Sequence, residues 1–281
     1  MNFVKMHGCG NDYVYVDLRR EKVPHPEKLA VSISDRHFGV GSDGLILIAP
    51  SKRADFRMIM FNADGSEGYM CGNGIRCIGK YVYDRRLTKK KTISVETKGG
   101  VVGLDLHLRG GFVERVTVDM GAPRLVPKEF HVRADGTATF LRDKIEGMDA
   151  FVLSMGNPHC VIPISEDPYG SFPFEKRGPA IEKHPDFPSR VNVEFVRRLG
   201  PDRLQQRTWE RGSGETFACG SGACAVAAAH ILTGATPRKV TIELRGGELQ
   251  IEMASDGRML MTGPATEVFS GEWPTPRRSR R

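Results

Sequence analysis

No apolar run in this chain approaches the ~18–20 residues that a membrane-spanning helix needs, which excludes a helical membrane protein. The opening residues, 1–13, lack a basic region followed by an apolar one, so no secretory signal is expected and the expected location is the cytoplasm. Cysteine is sparse, six in 281 residues, and never in a C-x-x-C pair, which argues against a thioredoxin-type redox motif. Of the closest pairs, Cys71/Cys77 misses the C-x2-4-C spacing of a structural zinc site, and Cys219/Cys224, with four residues between, has no second such pair to complete four ligands, so no metal is expected. Disulfides are a poor expectation for a cytosolic chain. Nucleic-acid binding would need a basic stripe with interleaved aromatics or a known module, and neither is visible. The net charge of +7 comes partly from the run Lys89, Lys90, Lys91 and the tail Arg277, Arg278, Arg280, Arg281, which read as solvated loop and end.

What is present is an ordinary globular composition, with 40% hydrophobic and 27% charged residues. At roughly 150 residues per domain the length suggests about two domains, or one large one. The two halves answer each other. Phe3-Val4 leads to Gly10-Asn11, and Phe151-Val152 leads to Gly156-Asn157. Cys71-Gly72-Asn73-Gly74 is matched 148 residues on by Cys219-Gly220-Ser221-Gly222, and Lys98-Gly99-Gly100 is matched 147 on by Arg245-Gly246-Gly247. Landmarks in one order at nearly one offset imply a duplication. Alternating runs predict strands over 56–61, 92–97 and 113–120, and over 191–196, 240–244 and 248–253. The two Gly-Gly segments read as hairpin turns. Helices are predicted over 75–86 and 223–232, the second nearly all small apolar residues and hence buried.

A thiol at a helix start feels the positive end of the macrodipole and the unbonded first-turn N–H groups, so its pKa is expected to fall. The same N–H groups favour an anion, and the glycines let a ligand approach the backbone. One Cys-Gly-x-Gly element alone reads best as a tight turn. Two related by duplication are expected to place two thiols on opposite sides of one cleft, with a carboxylate held by both helix starts and its α-carbon between the sulfurs. That arrangement suits removal of a proton from one face of a stereocentre and its return to the other. Such chemistry needs preorganised N–H donors on the developing enediolate, each worth roughly 3–4 kcal/mol by analogy with oxyanion holes.

At these residues the chain resembles the diaminopimelate epimerase family. The resemblance runs nearly end to end. It passes through Phe3-x-Lys5-Met6-His7-Gly8-x-Gly10-Asn11-Asp12-Tyr13, Gly39-Val40-Gly41-Ser42-Asp43-Gly44, Phe61-Asn62-x-Asp64-Gly65-Ser66 and Met70-Cys71-Gly72-Asn73-Gly74-x-Arg76-Cys77. It continues through Gly156-Asn157-Pro158-His159, Val191-Asn192-Val193-Glu194-Phe195 and Thr208-Trp209-Glu210-Arg211-Gly212 to Ala218-Cys219-Gly220-Ser221-Gly222.

The resemblance implies an isomerase of lysine and peptidoglycan-precursor synthesis that interconverts LL- and meso-2,6-diaminopimelate without pyridoxal phosphate or another cofactor. Cys71 and Cys219 are then the acid–base pair. Backbone N–H groups of Gly72, Asn73, Gly220 and Ser221 hold the reacting carboxylate. Asn11, Asn62, Asn157, Asn192 and Arg211 grip the other polar groups, and His159 and Glu210 tune the thiols, with Glu210 also near the substrate. Asn62 and Glu210 each lie nine residues before a thiol, so equivalent positions carry different chemistry, as an asymmetric substrate requires. Cys9, Cys77, Cys160 and Cys224 are left as structural thiols. Many relatives carry Gln where this chain has Gly44, so a side-chain contact made there is missing here.

The implied fold is α/β (α+β): two similar domains, 1–119 with 264–281 and 120–263, each a β-barrel-like sheet around a central helix, with the active site in the cleft between them. The last strand, near 263–273, is expected to return to the first domain. A homodimer is expected, with no nucleic-acid or membrane partner. A racemase of one-ended amino acids on the same scaffold is the nearest alternative. Proline racemase-like enzymes usually show His where this chain has Asn73. A phenazine-biosynthesis-type member lacks the cysteine pair, and a redox dithiol protein is disfavoured by the 148-residue separation.

Overall fold

A computed structural model describes residues 1–130, 132–133 and 141–274; the arginines of the tail lie outside the described residues. The chain divides into two compact units, Met1–Val116 with Pro264–Arg281, and Thr117–Gly263. In chain order the first unit carries β1 (Asn2–Gly8), β2 (Asn11–Asp17), α1 (Pro26–Ser34), β3 (Gly44–Ala49), β4 (Phe56–Asn62), β5 (Glu67–Gly68), α2 (Gly72–Asp84), β6 (Thr92–Thr97) and β7 (Gly100–Arg109). The division falls within β8 (Phe112–Asp119). The second unit carries β9 (Leu141–Ile145), β10 (Met148–Ser154), β11 (Pro158–Ile164), α3 (Phe174–Glu182), β12 (Asn192–Gly200), β13 (Arg203–Glu210), β14 (Gly214–Glu215), α4 (Gly220–Leu232), β15 (Lys239–Leu244), β16 (Gly247–Met253) and β17 (Met259–Pro264). The chain then returns to the first unit as β18 (Thr266–Glu272), which pairs antiparallel with β1.

Each unit wraps strands around one helix. In the first, β2 and β3 run parallel and β3 and β4 antiparallel, and α2 packs on β1, β2, β7 and β18. Every residue of β3 is buried: α1 packs on one face, and on the other Ile46 lies against Gly74 of α2. Val14, Val16, Leu45 and Leu47 join Ala30 and Ile33 in the core on the α1 side. On the α2 side the Tyr15 hydroxyl donates to the Gly74 carbonyl at 3.1 Å. The second unit repeats this plan: β11 and β12 are parallel, β12 and β13 antiparallel, with α3 on one face and α4 on the other. Its α3-side core is aromatic, with the Phe195 ring tilted against Phe172 at 4.7 Å and edge-to-face with Phe174 at 5.7 Å.

The duplication extends to register. Tyr13 pairs with Gly44 and Ile46 with Met60; 146 to 148 residues on, His159 pairs with Asn192 and Glu194 with Thr208. Both predicted hairpins form, with Thr97 opposite Gly100 and Leu244 opposite Gly247. α2 and α4 each start three residues before their predicted starts, because glycines are tolerated in a first turn that a cysteine side chain caps.

Candidate active site

Cys71 and Cys219 hold the same local position in the two units. Each is the N-cap of its helix in extended conformation, φ −125° and ψ 115° at Cys71, φ −112° and ψ 109° at Cys219. Each Sγ accepts the N–H three residues on, from Gly74 at 3.3 Å and from Gly222 at 3.4 Å. The N–H groups of Gly72 and Asn73, and of Gly220 and Ser221, lie in first turns, where no helix carbonyl is in place to accept them. Their glycine-rich sequence keeps the backbone open to a ligand.

The surroundings of the two thiols differ. In the first unit Cys71 Sγ donates to Asn11 Oδ1 at 3.2 Å, and Asn11 Nδ2 donates to Asp43 Oδ2 at 2.7 Å. Asp43 also accepts from the Asp12 N–H at 3.1 Å and from Arg36 at 2.8 Å, so Asn11 is held from behind. Burial and the neighbouring Cys71 push the Tyr13 phenol well up. Asn73 is buried and its Oδ1 accepts from Arg76 at 3.0 Å, which leaves its backbone as the group at the helix start. Asn62 Nδ2 donates to Ser66 Oγ at 2.9 Å at the end of β4. A Cβ at Gly44 would fall on the Phe61 carbonyl, so glycine fits the close approach of β3 to β4 there.

In the second unit His159 is fully buried, with Nδ1 2.8 Å from Glu194 Oε1 and Nε2 3.0 Å from Asn157 Oδ1. Glu210 accepts from Thr216 at 2.6 Å, and its charge bears on Cys219. Burial raises the Glu210 carboxyl above the usual carboxylate range. The expected fall in thiol pKa is reversed at Cys219, where burial first, then the charges of Glu210 and Glu194, push it well up. The helix-start N–H groups act in the opposite sense but do not outweigh a desolvated site with two carboxylates. Asn192 is buried with both ends of its amide engaged: Nδ2 donates to the Pro158 carbonyl at 3.2 Å, and Oδ1 accepts the Arg211 N–H at 2.9 Å. Arg211 is exposed, and its guanidinium bonds the Ser189 carbonyl at 3.1 Å.

Cys9, Cys77, Cys160 and Cys224 are buried, and burial pushes Cys77 up to about 11. Cys9 sits at φ 55° in the β1–β2 turn. Among the described residues no cluster of His, Cys, Asp and Glu is arranged to hold a metal, and no helix is long and apolar enough to cross a membrane. The reading of single residues missed Glu194 and Asp43. It also missed Tyr69 and Phe217, exposed aromatics two residues before each thiol, over which the hairpin-turn cations Lys98 and Arg245 lie at 5.2 and 4.8 Å.

A sequence model described as diaminopimelate epimerase matches residues 3–126 and 151–268. The chain is 51% identical to the diaminopimelate epimerase of Agathobacter rectalis, over 97% of this chain and 99% of that protein. It is 49% identical to that of Methanococcus maripaludis, again over 97% and 99%. In fold it is similar to a probable proline racemase from Agrobacterium radiobacter, with TM-score 0.71 and 14% identity over 99% of this chain and 94% of the other. It is also similar to a phenazine biosynthesis protein of the PhzF family from Bacillus anthracis, with TM-score 0.69 and 14% identity over 98% and 99%. With the match spanning both halves and both thiol caps, the chain belongs to the diaminopimelate epimerase family.

Proposed function

We propose that this protein interconverts LL- and meso-diaminopimelate by two-base proton transfer at an α-carbon, with Cys71 and Cys219 as the acid–base pair, and so serves lysine biosynthesis. The observation that carries this reading is the matched pair of thiol caps, each on a Gly-rich helix start in a unit of the same plan. In each turnover one sulfur acts as thiolate and takes the α-proton, and the other acts as thiol and donates to the opposite face. First-turn N–H groups of Gly72, Asn73, Gly220 and Ser221 bear the charge that develops on the carboxylate. Asn11, Asn62, Asn157, Asn192 and Arg211 bind the remaining polar groups of a substrate with two ammonium and two carboxylate ends. Their amide and guanidinium chemistry supports this. His159 and Glu210 set the proton affinity of the thiols. The proposal extends to a cytoplasmic homodimer, supported by Val268 and Phe269 of β18, which are 54% and 46% exposed; sedimentation velocity tests the dimer.

The activity is tested by incubating the purified protein with LL-diaminopimelate after exhaustive chelation and treatment with a carbonyl reagent. Full conversion to the LL/meso equilibrium is expected. Activity that returns only with added metal or pyridoxal phosphate contradicts the proposal, and activity on a one-ended amino acid with none on diaminopimelate favours a one-ended racemase.

A further inference from the structure

The duplication allows each position around one thiol to be compared with its counterpart around the other. The strand face beneath α2 carries Tyr13, Ile46, Met58 and Met60; the corresponding face beneath α4 carries His159, Glu194, Gln206 and Thr208. The contacts correspond as well as the register. A Cβ at Gly74 would lie 2.6 Å from Ile46 Cδ1, and a Cβ at Gly222 would lie 2.6 Å from Glu194 Oε1. One unit thus presses a methyl group against the first turn of its thiol helix, and the other presses a carboxylate.

That carboxylate is costly to keep there. Glu194 is 0% exposed; its Oε1 meets His159 Nδ1, and its Oε2 has no hydrogen-bond partner among the described residues. An apolar residue of similar size is accepted at the matching position of the same fold, so packing does not require a charge. What favours it is the positive end of α4 and the His159 ring. The ring in turn is held between Glu194 and Asn157, so the carboxylate fixes which way both nitrogens point. The groups facing Cys219 are then Glu210 on β13, Glu194 on β12, and Ser221 and the Gly222 N–H on α4. His159 on β11 lies behind the two carboxylates.

We propose that Glu194 is a positioning residue for the Cys219 half of the site: its carboxylate anchors the His159 ring and sets a second negative charge beside the first turn of α4, an arrangement the Cys71 half lacks. The two thiols are therefore unequal by construction, and Glu194 acts on one of them. This inference rests on the reading of Cys219 as an acid–base thiol.

The test uses the full-length protein with Glu194→Gln, close in shape and uncharged, and Glu194→Ile, which restores the residue of the first unit. Thermal stability and the pH profiles of kcat and kcat/KM for diaminopimelate are measured for each. A fall in kcat of roughly 10- to 100-fold is expected, with KM changed by less than about threefold, as for loss of an interaction made beyond the ground-state complex. The alkaline limb of the profile should move to lower pH, because Cys219 loses a neighbouring negative charge. An unchanged kcat and profile in Glu194→Gln overturns the inference. So does a loss of activity that only follows a loss of folded protein, with the limb unmoved. A folded Cys219→Ala variant with near-normal activity instead overturns the underlying reading of the thiol.

Discussion

Gly74 is the residue through which packing beneath α2 reaches the proposed chemistry. Its N–H caps Cys71 Sγ, and the N–H groups of Gly72 and Asn73 precede it in the same turn. In Gly74→Ala the added methyl would lie 2.6 Å from Ile46 Cδ1 and 3.4 Å from both Met58 Cε and Cys71 Cβ. Ile46 is fully buried and cannot swing into solvent. Overpacking of this kind costs about 1–3 kcal/mol. Replacing a helical glycine by alanine returns up to about 1 kcal/mol. The net loss of stability is then about 0–3 kcal/mol. Activity should suffer more, because a shift of the first turn by about 1 Å can cost up to about 100-fold in rate. Ile46→Val removes the one carbon in conflict and alone costs about 0.5–1.5 kcal/mol. If the clash is the cause, the double variant is more stable than the sum of the two singles by about 1–2 kcal/mol, within the range of contacting pairs. It also recovers much of the lost activity. Urea denaturation of the four proteins and their epimerisation rates provide the cycle. Additivity to within about 0.5 kcal/mol, or wild-type activity in Gly74→Ala, refutes the reasoning.

Two further outcomes follow from single groups. The Glu267 carboxyl on β18 is held below its usual range by Arg85 at the end of α2, bonded at 2.7 and 2.9 Å. A carboxyl lowered on folding contributes stability that is full above its unfolded value, about 4.3, and is lost as pH falls through its folded value. Glu267→Gln should therefore lose up to about 1 kcal/mol at pH 7, as for a partly exposed pair. In strongly acid solution it should match the parent; an equal deficit at both ends of the pH range excludes this account. Cys71→Ala and Cys219→Ala should each abolish epimerisation while leaving the folded state intact by circular dichroism.

The features most legible in the sequence are those set by backbone demands. The Cys-Gly-x-Gly starts and the Gly-Gly hairpins need particular residues at particular places, so the duplication showed in them directly. The strand over 92–97 was legible from alternation, and its observed bounds agree, whereas that expected over 191–196 runs on to Gly200. The end of α2 came two residues early because Arg86 turns left-handed, φ 57°, which its sequence does not announce. α3 was missed because Pro179 lies inside it and Phe174–Glu182 shows little helical pattern. The Glu194–His159 pair was not legible because it depends on the parallel register of β11 and β12, which joins residues 35 apart. The direction of the Cys219 shift was misjudged for a related reason. The helix start is local in sequence, whereas burial and the Glu194 carboxylate are supplied by distant strands.

The central claim is that two different sulfurs serve the two faces of one carbon. It is tested most directly by running the reaction of wild-type protein in D2O with protiated LL-diaminopimelate and following both isomers at low conversion by NMR and mass spectrometry. Two bases predict that the meso product carries solvent deuterium at the epimerised carbon from its first appearance, while unreacted LL-substrate stays protiated. Product that retains the original proton, or early deuterium in the unreacted LL-isomer, would contradict the account and point to a single base serving both faces.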